Sequence, residues 1–126
     1  MTNYQIGDFL IRLKNASLAK MKEVSGVMAT NYIKETALAL KDAGYLDKIS
    51  EKEGVLTVSL AFRNKRPVLM DLKIISRPGL RLYKNVEELA KDKGPFIFLV
   101  STSKGVITSQ KAIKGRVGGE VIAQIW

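Results

Sequence analysis

The 126-residue sequence contains no cysteine and no histidine. Disulfide scaffolds, zinc fingers, Cys or His nucleophiles and His general bases are therefore excluded. A metal site would need carboxylates alone, which suit magnesium or calcium better than zinc. Prolines number only three, and no Pro- or Gly-rich linker of real length exists, so any two halves must pack closely. No uncharged apolar run approaches the roughly 20 residues of a membrane span. The start, Met1-Thr2-Asn3-Tyr4-Gln5-Ile6-Gly7-Asp8, lacks a basic region followed by an apolar one, so a secretory signal is not expected and the chain reads as cytosolic. Internal repeats and low-complexity tracts are absent too. Acid is scarce: 12 Asp plus Glu stand against 21 Lys plus Arg, for a formal net charge of +9.

What is present fits one domain or two very small ones, with 46% hydrophobic residues to build a core. So basic a composition meets a criterion for a nucleic-acid binder, against the blander reading of a soluble protein with spare lysines.

Periodicity divides the chain. Ile6, Phe9, Leu10 and Leu13 recur at helical spacing and form one apolar stripe, with Asp8, Arg12 and Lys14 opposite. Glu23 to Met28 is short enough for one strand. A second helix is expected from an N-cap at Thr30, with Ile33, Ala37 and Leu40 as its buried row and Gly44 just past its end. The period then changes to two: Tyr45 to Ser50 and Val55 to Phe62 are expected as strands joined around Glu53-Gly54. Asn64-Lys65-Arg66-Pro67 is a polar break, which divides the chain into residues 1–66 and 67–126. Beyond it, Val68 to Ser76 is expected as a strand running into a type II turn at Arg77-Pro78-Gly79. Leu80, Leu82 and Tyr83 resume an extended run. Asn85-Val86-Glu87-Glu88 is expected to open a short capped helix, and Phe96 to Val100 to form a strand covered on both faces. Ser109 to Lys114 is expected as a short helix, and Gly118-Gly119 to lead into a last strand over Glu120 to Trp126.

The charge is concentrated. Residues 73–84 hold Lys73, Arg77, Arg81 and Lys84 with no acid, and residues 101–119 hold Lys104, Lys111, Lys114 and Arg116 with none. Eight of the nine net charges thus lie in two segments. Ser101-Thr102-Ser103-Lys104-Gly105 adds three hydroxyls that can donate to phosphate, ribose or a base edge. Gly105 offers room for a close backbone. Tyr83, between Arg81 and Lys84, offers a ring on which an unstacked base or sugar can rest. Alone, each element reads more simply as a turn or as strand packing; their coincidence with the only acid-free basic segments points to nucleic acid.

Enzymatic readings fail. Ser101-Thr102-Ser103-Lys104 fits S-x-x-K, but the S-D-N and K-T-G partners of that serine–lysine chemistry are missing, and the context is strand and turn rather than helix. Neither Gly-rich phosphate-binding motif occurs. The acidic pair Glu87-Glu88 occupies adjacent helical positions that do not converge on one atom, so it reads as a helix start. Neither catalysis nor a metal or other cofactor is expected.

Ser76-Arg77-Pro78-Gly79-Leu80-Arg81-Leu82-Tyr83, Val100-Ser101-Thr102-Ser103-Lys104-Gly105-Val106-Ile107-Thr108 and Gly118-Gly119-Glu120-Val121 closely resemble small-subunit ribosomal protein number eight, the S-eight family, of bacterial type. Ile11-Arg12-Leu13-Lys14-Asn15-Ala16 and Leu40-Lys41-Asp42-Ala43-Gly44-Tyr45-Leu46 match its pattern as well, so the resemblance spans essentially the whole chain. It implies an α+β protein of two closely packed subdomains, an N-terminal α-β-α-β-β half and a C-terminal half of mostly antiparallel β with short helices. It further implies direct binding to the central domain of small-subunit ribosomal RNA, support of subunit assembly beside neighbouring ribosomal proteins, and in some members repression of a ribosomal-protein messenger. Carried over by position, the RNA-contact loop is Ser101, Thr102, Ser103, Lys104 and Gly105. Tyr83, Gly119 and Glu120 match the RNA-facing surface, with Arg77, Arg81 and Lys84 in one basic segment and Lys111 and Arg116 in the other. Glu120 suits an acceptor for hydroxyls or a base amino group rather than a phosphate contact. A-form RNA hides its major groove, so the expected readout uses the minor groove and non-canonical bases.

The sequence departs from the family pattern twice. Where the second helix usually opens Ser-Lys-Leu-Lys, this chain has Thr30-Asn31-Tyr32-Ile33, which removes two basic side chains, so that an N-terminal contact to the RNA backbone is expected either to be weaker or to pass to Lys34. Ser109 replaces an acidic residue expected to cap the short helix that follows. The alternative reading is a general nucleic-acid-binding module outside the ribosome.

Overall fold

The computed structural model describes residues 2–92 and 94–126. Helix α1 (Thr2–Leu18) and helix α2 (Asn31–Asp42) flank strand β1 (Glu23–Met28). Strands β2 (Leu46–Lys52) and β3 (Val55–Leu60) follow, and the three strands form an antiparallel sheet in the order β1-β3-β2. The apolar stripe of α1 is almost wholly buried, as are Ile33, Ala37 and Leu40 of α2. The Thr30 hydroxyl accepts the Ile33 N–H at 3.3 Å, and Gly44 takes φ +92 just past the helix, a conformation that costs glycine little. Glu53 and Gly54 both have positive φ, as a two-residue turn between right-twisted strands requires. Along β3, buried Leu56, Val58 and Leu60 alternate with wetter neighbours, the expected period of two.

Strands β4 (Phe62–Arg63) and β5 (Arg66–Pro67) make a small ladder of their own. The rest forms a second antiparallel sheet from β6 (Leu72–Ile74), β7 (Tyr83–Lys84), β8 (Ile97–Thr102), β9 (Gly105–Thr108) and β10 (Gly119–Ile125). Its order is β6-β10-β8-β9, and β7 also pairs with β10. Helices α3 (Val86–Lys91) and α4 (Ser109–Lys114) complete the chain. Among the described residues, no helix is long and apolar enough to cross a membrane.

Both faces of the second sheet are covered. Leu99, Val106, Ile122 and Ile125 join the core built by α1, α2 and the first sheet. Phe98, Val100 and Val121 pack with Leu89 of α3 and Ala112 of α4. This is why Phe96 to Val100 is a continuous apolar run: neighbours on a strand point to opposite faces, and here each face is dry.

Two sequence expectations need correction. Only Leu72–Ile74 of the segment Val68–Ser76 is strand. Met70 and Asp71 both donate to the Trp126 carbonyl, and Ile75 and Ser76 both donate to that of Ile122; two donors on one acceptor break a ladder that needs one each. The extended run from Leu80 is likewise reduced to Tyr83–Lys84. The turn before it is as expected: Arg77 and Leu80 exchange backbone hydrogen bonds, each 2.9 Å, across Gly79 at φ +91.

Candidate nucleic-acid interface

Strands β8 and β9 form a hairpin whose register pairs Thr102 with Gly105. Ser103 and Lys104 are left as a two-residue tip, both exposed. The Thr102 hydroxyl works inside the turn: it donates to the Gly105 carbonyl at 2.9 Å and accepts the Lys104 N–H at 3.0 Å. Of the three hydroxyls expected to face a ligand, this one is committed to shaping the loop. Gly105 has φ +103, and a Cβ there would lie 3.2 Å from the carboxyl carbon and both oxygens of Glu35. The space it leaves is therefore filled by the protein itself.

Beside the hairpin, three expected residues fall into one row. Tyr83 of β7 pairs with Glu120 of β10, and Glu120 pairs with Ser101 of β8. Directly opposed residues of an antiparallel ladder project to the same face, so ring, carboxylate and hydroxyl share a surface. Tyr83 is 66% exposed, whereas Glu120 keeps only 8% of its surface. Arg81 Nη1 lies 3.4 Å from each Glu120 oxygen, within salt-bridge reach. A carboxylate this enclosed needs such a partner, because burying an unpaired charge is costly. The pair joins residues 39 positions apart, and composition alone gave no sign of it.

Backbone approach explains the two glycines. A Cβ on Gly119 would lie 2.1 Å from the Ser101 carbonyl oxygen, and one on Gly118 would lie 2.5 Å from that of Lys84. They let the strands carrying the row come together. Lys84 pairs with Asp92 and lies over the Phe98 ring, 5.0 Å from its centroid. Lys111 pairs with Asp42 of α2 at 2.7 Å. Arg77 is exposed in its turn, and Arg116 is exposed after α4 with φ +55.

Sequence reasoning missed two supports. Ser76 is buried; its hydroxyl donates to the Val121 carbonyl at 2.7 Å and accepts the Leu82 N–H at 3.0 Å, tying the segment that presents Tyr83 to β10. Its only sequence signal is a small hydroxyl ending an apolar run before a turn. The other is Glu35, which resembles any solvated helix acid in the sequence. At the two departures from the family pattern, Lys34 and Ser109 both have partners within the chain. Lys34 is engaged with Glu51 at 3.0 Å. Thr108 caps α4 through the Lys111 N–H at 3.3 Å, and Ser109 instead accepts the Phe98 N–H at 3.1 Å. Among the described residues, no cluster of acids is arranged to hold a metal ion.

A family model described as ribosomal protein S8 matches residues 4–126. The chain belongs to the ribosomal protein S8 family. Its relatives include small ribosomal subunit protein uS8c of Guillardia theta, 41% identical with all of both chains covered. Protein uS8 of Ruminiclostridium cellulolyticum is 40% identical, covering 96% of this chain and 95% of the relative. Protein uS8 of Staphylococcus aureus is 41% identical over 96% of each. The S8 family is structural and non-enzymatic, and its α+β architecture agrees with the helices and antiparallel sheets described above.

Proposed function

We propose that this S8-family chain is a structural constituent of the small ribosomal subunit that binds the central domain of its ribosomal RNA directly and supports assembly. Residues 1–66 act as the buttressing half, and residues 67–126 as the half that grips RNA. One observation carries the reading: Tyr83, Glu120 and Ser101 lie in register across three strands, beside an exposed Ser103-Lys104 tip. The row provides a ring for an unstacked base or sugar, a carboxylate acceptor and a hydroxyl, and the tip provides a cation for phosphate. Such a mixture suits a folded RNA with splayed bases, read by shape and stacking. Neighbouring small-subunit proteins are its protein partners. A messenger that presents the same RNA fold would occupy the same surface, which is the route by which the chain would repress a ribosomal-protein operon.

The test is titration against fragments of small-subunit ribosomal RNA and competitor duplexes at several salt concentrations. Tight binding confined to one central-domain fragment is expected; equal affinity for every RNA would instead favour a general nucleic-acid module. Lys104→Ala should flatten the salt slope by about one unit, the loss of one phosphate contact. Ser103→Ala should reduce discrimination between RNAs. Lys104 is a cleaner probe than Arg81, whose removal would also strip Glu120 of its ion-pair partner.

A further inference from the structure

Glu35 stands in α2, 71 positions ahead of Val106, yet its Oε1 accepts the Val106 backbone N–H at 3.1 Å. Strand β9 is the outer strand of its sheet, so on that side the N–H has no ladder partner, and a carboxylate from the helix takes the ladder's place. The same carboxylate fills the space that Gly105 leaves, in contact range with all three of its terminal atoms. Gly105 is the first residue after the tip and sits at φ +103, a backbone conformation that glycine adopts readily and other residues rarely do. The tip is thus held twice: by the Thr102 hydroxyl from within the turn and by Glu35 from across the molecule. Further along α2, Asp42 pairs with Lys111 of α4 at 2.7 Å, so the helix lies against the segment from Gly105 to Lys111.

We infer that Glu35 is a positioning residue for RNA recognition. Through Val106 and Gly105 it sets the direction in which Ser103 and Lys104 are presented, so that the N-terminal half governs RNA selection through the tip. The inference rests on the RNA-binding reading of that tip. A group held in a fixed direction loses little freedom on binding, whereas a swinging tip must be ordered by the RNA itself.

The full chain with Glu35→Ala, Glu35→Gln or Lys104→Ala, titrated with the central-domain fragment and with a competitor duplex, tests this. Amide exchange at residues 103–106 and a thermal melt are recorded for each variant. Gln keeps the acceptor oxygen without the charge; Ala removes both. Glu35→Ala should bind the fragment on the order of tenfold more weakly, as expected for losing one charge-assisted hydrogen bond's worth of ordering. It should lose less against the duplex, keep the wild-type salt slope and exchange faster at Val106. Glu35→Gln should restore both affinity and protection. Wild-type binding by Glu35→Ala, with Lys104→Ala impaired, would overturn the inference and leave the tip as an RNA contact. Tighter binding by both Glu35 variants would overturn it as well, by showing that the carboxylate acts as a charge repelling phosphate. If Lys104→Ala changed neither affinity nor slope while Glu35→Ala freed Val106, the RNA-binding reading of the tip would be wrong, and the role of Glu35 in selection would fall with it.

Discussion

Gly119→Ala adds one methyl group at the point where the row of Tyr83, Glu120 and Ser101 is assembled. The new carbon would lie 2.1 Å from the Ser101 oxygen, 2.9 Å from its carbonyl carbon and 3.2 Å from Thr102 Cα. Ordinary carbon–oxygen contacts across a sheet are roughly 3.3–3.6 Å, so the overlap exceeds an ångström. All three atoms belong to the backbone of the adjacent strand, and none can swing aside. Overpacking of this kind costs about 1–3 kcal/mol, and each backbone hydrogen bond lost where β10 meets β7 and β8 adds about 0.5–1.5 kcal/mol. We expect a loss of about 2–4 kcal/mol, a large fraction of the roughly 5–15 kcal/mol that holds a typical domain together. At about 3–5 °C per kcal/mol for a chain of this length, the melting temperature should fall by about 6–20 °C. Gly7 in α1 provides the control, since nothing lies within 4 Å of a Cβ built there. Gly7→Ala should stabilise by about 0.5–1 kcal/mol through helix propensity alone. Thermal and urea unfolding of the two variants measure both effects. A Gly119→Ala protein melting within a degree of wild type would sink the argument that strand approach at Ser101 requires glycine.

Asn85 and Glu88 cap α3 reciprocally, at 2.9 and 3.0 Å, so Asn85→Ala should cost about 0.5–2 kcal/mol in urea unfolding; an unchanged midpoint would count against the cap. Asp71 has its pKa lowered, first by the Leu72 N–H and then by Lys14. A carboxylate with a depressed folded pKa contributes stability that is complete above its unfolded value and lost as pH falls through the folded one. Asp71→Asn should therefore remove part of the acid sensitivity of the melting temperature below the usual carboxylate range, and an identical acid limb in both proteins would refute it. Lys111 and Asp42 are both more than half exposed, so a double-mutant cycle should give a coupling of only about 0.2–1 kcal/mol. That coupling should shrink in high salt; a salt-independent value would mean that the pair is shielded from solvent.

Local features were legible in the sequence. The stripe of Ile6, Phe9, Leu10 and Leu13, the caps at Thr30 and Asn85 and the Pro78-Gly79 turn depend on side chains a few positions apart, and pattern reads such spacing directly. Val68–Ser76 was misread because an apolar, β-branched run is the same whether each N–H has its own acceptor or two converge on one carbonyl. The partner's register decides that, and the acceptors lie some 50 residues away, at Ile122 in β10 and at Trp126 just past it. The candidate site divides in the same way. Its residue types and basic segments stand out, but the alignment of Tyr83 with Glu120 and Ser101 is a property of the sheet. Gly105 was assigned room for a ligand, and Glu35 occupies that room, because no local pattern tells a docked helix acid from a solvated one.

Strand β10 follows every strand it pairs with in the second sheet, bonding β6 and β7 along one edge and β8 along the other. The first sheet closes within residues 23–60, so its strand pairing needs no residue beyond them. The second sheet lacks its middle until residues 119–125 have been added, and its closure depends on sequence-distant contacts, the slow kind to make. Up to that moment Tyr83 and Ser101 have no Glu120 between them. A chain that stops short of residue 119 therefore cannot assemble the row of Tyr83, Glu120 and Ser101, and it also lacks Ile122 and Ile125 of the shared core.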